Sequence, residues 1–126
     1  MYIMKGLFIP YELAVKLKEK GFNEECLRCY SNGELQSFMD FRTIAFTSGI
    51  VLNENLSGGL VSAPLWQQVE EWLYSVHKMH LKLFGWEETG FDCYLFKNDS
   101  FIGHSVKCKS VTEAKKKAIE KLVELL

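Results

Sequence analysis

Between residues 81 and 107, apolar and polar side chains alternate in three short runs: Leu81 to Trp86, Phe91 to Phe96 and Phe101 to Lys107. A period of two sends successive side chains to opposite faces, so each run reads as a half-buried β-strand. Glu87-Glu88-Thr89-Gly90 and Asn98-Asp99 join the runs. Joints this short connect antiparallel neighbours, because a parallel pair needs a crossover of roughly a dozen residues or more. The runs therefore predict a three-stranded antiparallel meander, and a lone meander needs a helix or second sheet to bury its apolar side.

The flanking segments supply that cover. After Pro64, the residues Leu65, Val69, Trp72, Leu73 and Val76 recur at three-and-four spacing, opposite Gln68, Glu70, Glu71 and Lys78, which predicts an amphipathic helix over 64–79. Downstream, Ser110 and Glu113 have the Ser-x-x-Glu spacing of a capping box, predicting a helix over 110–126. Its apolar face would carry Val111, Ala114, Ala118, Leu122 and Leu125, widened by Ile119, Val123 and Leu126.

The first third of the chain carries different cues. Pro10 suits the first position of a helix bearing Leu13, Ala14 and Leu17, and Gly21 is placed to end it by folding Phe22 back onto Leu17. Cys26 to Tyr30 and Leu35 to Met39 flank Ser31-Asn32-Gly33, and Asn-Gly between apolar runs predicts a β-hairpin. Phe41 to Phe46 reads as a further strand, and the Gly-, Asn- and Ser-rich stretch from Ser48 to Ser62 as a loop. The expected class is α+β: a meander (about 81–107) under helices 64–79 and 110–126, preceded by an N-terminal helix and a hairpin. A chain of 126 residues suits one domain, 1–126. Its natural subdivision would be the loop 48–62, dividing 1–47 from 63–126.

Charge narrows the partner classes. Fifteen basic side chains face sixteen acidic ones, and the balance is even along the chain: six against seven up to residue 62, nine against nine after it. No long-range field draws such a molecule to a polyanion. Lys5, Pro10 and Glu12 interrupt the apolar N-terminal run before it reaches leader or membrane-span length. The cytoplasm is the expected compartment, with Cys26, Cys29, Cys93 and Cys108 as thiols.

Several groupings are candidates for chemistry. Cys26-x-x-Cys29 has the spacing of a zinc knuckle, but strand geometry would point the two to opposite faces, and buried thiols are expected instead. His77-x-x-His80 straddles the expected helix end, where two imidazoles complement the helix dipole more simply than they bind metal. Trp66, Tyr74, Trp86 and Tyr94 are the candidates for an aromatic interaction surface. Lys115, Lys116 and Lys117 form the densest positive run, a candidate nucleic-acid face that reads equally as the solvated side of an amphipathic helix. There is no Gly-x-Ser-x-Gly elbow, phosphate loop or His-Glu-x-x-His, so neither catalysis nor a cofactor is expected.

Two resemblances bear on function. From Pro64 onward, the order helix, three antiparallel strands, helix is similar in outline to a double-stranded-RNA-binding domain. Such domains need surplus positive charge, and this segment is neutral, with the acidic turn Glu87-Glu88-Thr89-Gly90 where that family has Gly-Pro-x-His. Phe8-Ile9-Pro10-Tyr11-Glu12-Leu13-Ala14 with Lys20-Gly21-Phe22, and Ser62-Ala63-Pro64-Leu65-Trp66-Gln67-Gln68 leading into Glu71-Trp72-Leu73, resemble a family of small uncharacterised phage, prophage and mobile-element proteins of gut anaerobic bacteria. That resemblance implies a context and no activity. The expectation is a non-enzymatic accessory protein that binds another protein, with self-association allowed and no membrane partner.

Overall fold

The computed structural model describes residues 5–36, 52–53, 56, 59–86, 90–105 and 107–126. The strand expected at Phe41 to Phe46 and the turn residues Glu87, Glu88 and Thr89 lie outside them, as does most of the 48–62 loop. The fold is α+β, with three helices and two three-stranded antiparallel sheets. Two compact units divide it, Met1–Gln68 and Val69–Leu126.

In the first unit, helix α1 spans Tyr11–Glu19 and buries Leu13, Ala14 and Leu17. Pro10 stands just before the helix, not at its first position: it is extended, with φ −68° and ψ 159°, while its carbonyl accepts from Ala14 N–H at 3.0 Å. The other end stops as expected. Gly21 has φ +90°, Phe22 N–H donates to the Leu17 carbonyl at 2.9 Å and Gly21 N–H to that of Lys18 at 3.2 Å. These are the two bonds of a Schellman stop, and they bury Phe22.

Strands β1 (Cys29–Ser31) and β2 (Glu34–Leu35) form the expected hairpin, with Tyr30 opposite Leu35 and Ser31 opposite Glu34. Asn32 and Gly33, at φ 53° and 80°, make the turn with both central residues left-handed, which matches the twist of the strands it joins. The stretch read as loop to Ser62 ends instead in strand β3 (Val61–Ser62), antiparallel to the free edge of β1. Buried Asn53 explains how so aperiodic a segment is held. Its amide donates to the Phe22 carbonyl at 2.6 Å, and its side-chain oxygen accepts from Ser62 N–H at 2.8 Å. Lys18 Nζ reaches across to the carbonyls of Leu60 (2.8 Å) and Leu56 (3.3 Å).

Helix α2 spans Trp66–His77, shorter at both ends than 64–79. Pro64 cannot begin it, because Pro64 and Leu65 run alongside the N-terminal chain: Ile9 N–H donates to the Pro64 carbonyl, and Phe8 pairs with Leu65. The Gln68 side chain caps the start by accepting from Leu65 N–H at 2.9 Å. Lys78, at φ 57°, breaks the far end, so Met79 opens a strand and is buried there. Within the stripe, Val69, Trp72 and Leu73 are buried, whereas Val76 is exposed.

Strands β4 (Met79–Trp86), β5 (Gly90–Lys97) and β6 (Ser100–His104) form the meander, in that order and antiparallel throughout. Asn98 and Asp99, at φ 52° and 64°, make the second turn. Strand β6 is shorter than the run to Lys107, because a bulge shifts its register and the chain rejoins β5 only at Cys108, opposite Phe91. Gly90 permits that return: at φ +99° it is already left-handed, and a methyl there would run into the Cys108 carbonyl oxygen.

Helix α3 spans Val111–Glu124, with Ser110 as its cap: the hydroxyl accepts from Glu113 N–H at 3.1 Å. It buries Ala114, Ala118, Ile119, Leu122 and Val123, so the stripe is centred nearer Ile119 than expected, with Val111 and Leu125 exposed at its margins. Both α2 and α3 pack on the meander. Cys93 and Leu95 of β5 are fully buried on that side, and the Cys93 thiol feels both Glu70 of α2 and Lys115 of α3.

Candidate interaction face

The register of the meander sorts its side chains into two faces. Leu81 pairs with Leu95 and Leu83 with Cys93, which puts these four on the helix-covered side. The opposite face therefore carries His80, Lys82 and Phe84 from β4 with their partners Phe96, Tyr94 and Asp92 from β5. Phe101 pairs with Phe96, and His104 with Tyr94. Residues three apart on a regular strand point to opposite faces; the extra residue in β6 lets Phe101 and His104 share one. Gly103, at φ +150°, supplies the backbone conformation.

The result is a connected set of rings. Phe84 lies 4.4 Å from Tyr94 between centroids, Tyr94 5.7 Å from Phe101, and Phe101 6.0 Å from Phe96, which stacks on His80 at 5.0 Å and 10°. Phe101 is 58% exposed and Phe84 37%. Lys82 holds its ammonium 5.6 Å above the Phe96 ring, a cation–π distance. Asp92 is buried and tied on three sides. It accepts from Cys93 N–H at 2.8 Å and from the Ser105 hydroxyl at 3.4 Å, and its second oxygen lies 3.4 Å from His104 Nδ1. Since the imidazole faces the carboxylate and not the Ser105 hydroxyl, the trio braces β5 against the end of β6 and sets up no nucleophile.

The candidate residues from the sequence are distributed unevenly around this face. Tyr94 sits at its centre. Tyr74, 57% exposed on α2, packs edge-on against His80 at 5.9 Å, with Lys78 5.9 Å above its ring. Trp66 opens α2 and is half-buried within the first unit. Trp86 closes β4, and its side chain lies outside what the structure describes. His77 and His80 are divided by the Lys78 turn and take different partners: His77 packs on Trp72 at 4.8 Å, His80 on Phe96. Lys115 and Lys116 lay part of their stems along the protein, and Lys117 is exposed.

Cys26 and Cys29 are both buried. Burial pushes the Cys26 thiol up to about 12; the neighbouring Ser62 hydroxyl offsets this in part, and the Glu24 charge adds to it. Burial also raises Cys93, reinforced by the Asp92 carboxylate. Thiols so disfavoured as thiolates are poor nucleophiles and poor ligands. Among the described residues, no three His, Cys, Asp or Glu side chains converge into a set that could hold a metal ion. Nor, among them, is any helix long and apolar enough to cross a membrane.

Phe84, Phe96, Phe101, His104, Asp92 and Ser105 escaped the sequence reading. For Phe84, Tyr94 and Phe96 a signal existed: they share the parity opposite to Leu83, Cys93 and Leu95, so both faces of the meander are apolar. For Phe101 and His104 none did, because the bulge that aligns them is invisible in a period of two. Neither a family model, nor a curated protein, nor a solved structure matches the chain.

Proposed function

We propose that this chain is a non-enzymatic protein-binding module whose contact surface is the open face of the meander. The observation that carries this is the ring set Phe84, Tyr94, Phe96 and Phe101, left exposed or half-exposed on the side away from α2 and α3. Protein interface cores are enriched in aromatic side chains and depleted of charge, and this face has the same composition. Its charges nearly cancel: one lysine, Lys82, against one buried carboxylate, Asp92. Phosphate recognition needs a surplus of cations, which favours a protein over a nucleic acid here. The blocks resembling mobile-element proteins add a setting, an accessory role beside a host or element partner.

Affinity capture from a host extract, compared by quantitative mass spectrometry, tests the proposal. A partner should be held by the wild type and by Lys116→Glu and lost by Phe101→Glu, with the fold of each variant verified by circular dichroism. Equal recovery with Phe101→Glu removes the face from consideration. Oligonucleotide binding at low salt that disappears with Lys116→Glu replaces the proposal by the nucleic-acid alternative.

A further inference from the structure

We infer that the occupant of the open face is a second copy of this chain, packed sheet to sheet about a two-fold axis that runs along β5. This rests on the proposal that the face is a protein-binding surface, and names the partner.

The complement of a twisted three-stranded face is another sheet of the same twist, since sheets pack face to face with aligned strands and interdigitating side chains about 10 Å apart. A second copy brings such a sheet with the same rings. With a formal net charge of −1, two copies meet without appreciable long-range repulsion.

The axis follows from the charges. Lys82, Tyr94 and His104 form one row across the sheet, because Lys82 pairs with Tyr94 and Tyr94 with His104. At one end of the row is a cation; at the other is an imidazole held to the Asp92 carboxylate. A two-fold axis along β5 lays β4 of each copy over β6 of the other, so each Lys82 meets the opposite His104–Asp92 pair. An in-plane axis across the strands would instead set Lys82 against Lys82. Only the first arrangement is complementary.

Size sets the strength. Three strands about 4.8 Å apart and eight residues at about 3.3 Å each give a footprint of about 14 by 26 Å, on the order of 400 Å². A standard interface buries about 800 Å² per partner, so the dimer belongs to the transient class. Its dissociation constant is expected on the order of tens of micromolar.

Sedimentation velocity from micromolar to millimolar concentration tests this. The wild type should pass from monomer to dimer across that range. Phe101→Glu, at an exposed position that the fold tolerates, should weaken the dimer at least about tenfold, the effect of a central aromatic anchor. Lys82→Glu should weaken it too, and adding His104→Lys should restore it, because the charges are then exchanged across the axis. Isotope-filtered NMR should show contacts between His80 of one copy and Phe101 of the other. A monomer at millimolar concentration, a dimer indifferent to Phe101→Glu, or contacts between the two Lys82 side chains would each overturn the inference. A monomer from which Phe101→Glu removes a captured partner overturns self-association alone and leaves the binding face standing. A monomer that binds single-stranded oligonucleotides through these rings overturns both.

Discussion

The two units of this chain are held together by different means. In Val69–Leu126, strands of five to eight residues lie beneath helices whose buried positions recur at helical spacing: Ala114, Ala118, Ile119, Leu122 and Val123 on α3. In Met1–Gln68, strands of two and three residues are joined by individual polar side chains reaching backbone groups far away in sequence. Asn53 ties Phe22 to Ser62, Lys18 holds the carbonyls of Leu56 and Leu60, the Tyr30 hydroxyl donates to the Ile9 carbonyl, and Gln68 donates to that of Glu25. One unit depends on many interchangeable apolar contacts, the other on a few that nothing else can make. Area burial is forgiving of chemistry as long as volume is kept; a buried hydrogen bond is forgiving of neither.

That contrast can be broken by substitution. The largest effect is expected from Leu122→Ala, which empties a fully buried position on α3 and should cost about 3 kcal/mol in urea unfolding, whereas the volume-conserving Leu122→Met should cost under about 1.5 kcal/mol. Asn53→Ala should cost about 2–3 kcal/mol, because it strands the Phe22 carbonyl and the Ser62 amide in a buried site. Here keeping volume should not help: Asn53→Leu is expected to be no better than Asn53→Ala, and rescue by Leu would erase the distinction between the units. Ser110→Ala removes a cap at an exposed helix start and should cost about 1 kcal/mol, with faster amide exchange confined to the first turn of α3.

The smallest effect near neutrality comes from Cys26, and it appears only in alkali. Its thiol titrates at about 12 in the folded protein against an ordinary 9.0. The folded state therefore favours the protonated form, and that stabilisation is complete below pH 9 and is lost as pH rises from 9 toward 12. A plot of unfolding free energy against pH should bend downward in that window, and Cys26→Ala should flatten the bend. In native protein at pH 8, Cys26 should react with a thiol reagent orders of magnitude more slowly than after denaturation.

How much of this was legible in the residues follows the same division. The meander, its Asn98-Asp99 turn, the Ser110 cap and the Schellman stop at Gly21 are all local. Each is set by a few neighbouring residues whose conformational preferences agree with their place in the fold. Strand β3 was not legible, because Val61 and Ser62 pair with residues some thirty positions earlier and Asn53 carries no mark of the carbonyl it will meet. The open face was half legible. Parity along β4 and β5 separates Phe84, Tyr94 and Phe96 from the covered side, yet Tyr94 alone of the three was singled out.

What the residues determined unaided is where the chain turns, where helices begin and stop, and that three antiparallel strands must find cover. Those outcomes depend on backbone preferences and side-chain periodicity within a few residues. Tertiary structure alone decided which side of the meander the helices took, how one extra residue in β6 brought Phe101 and His104 onto the other side, and which distant carbonyls Asn53 and Lys18 would serve. Those depend on contacts between segments remote in sequence, whose free energy exists only once the chain has closed on itself.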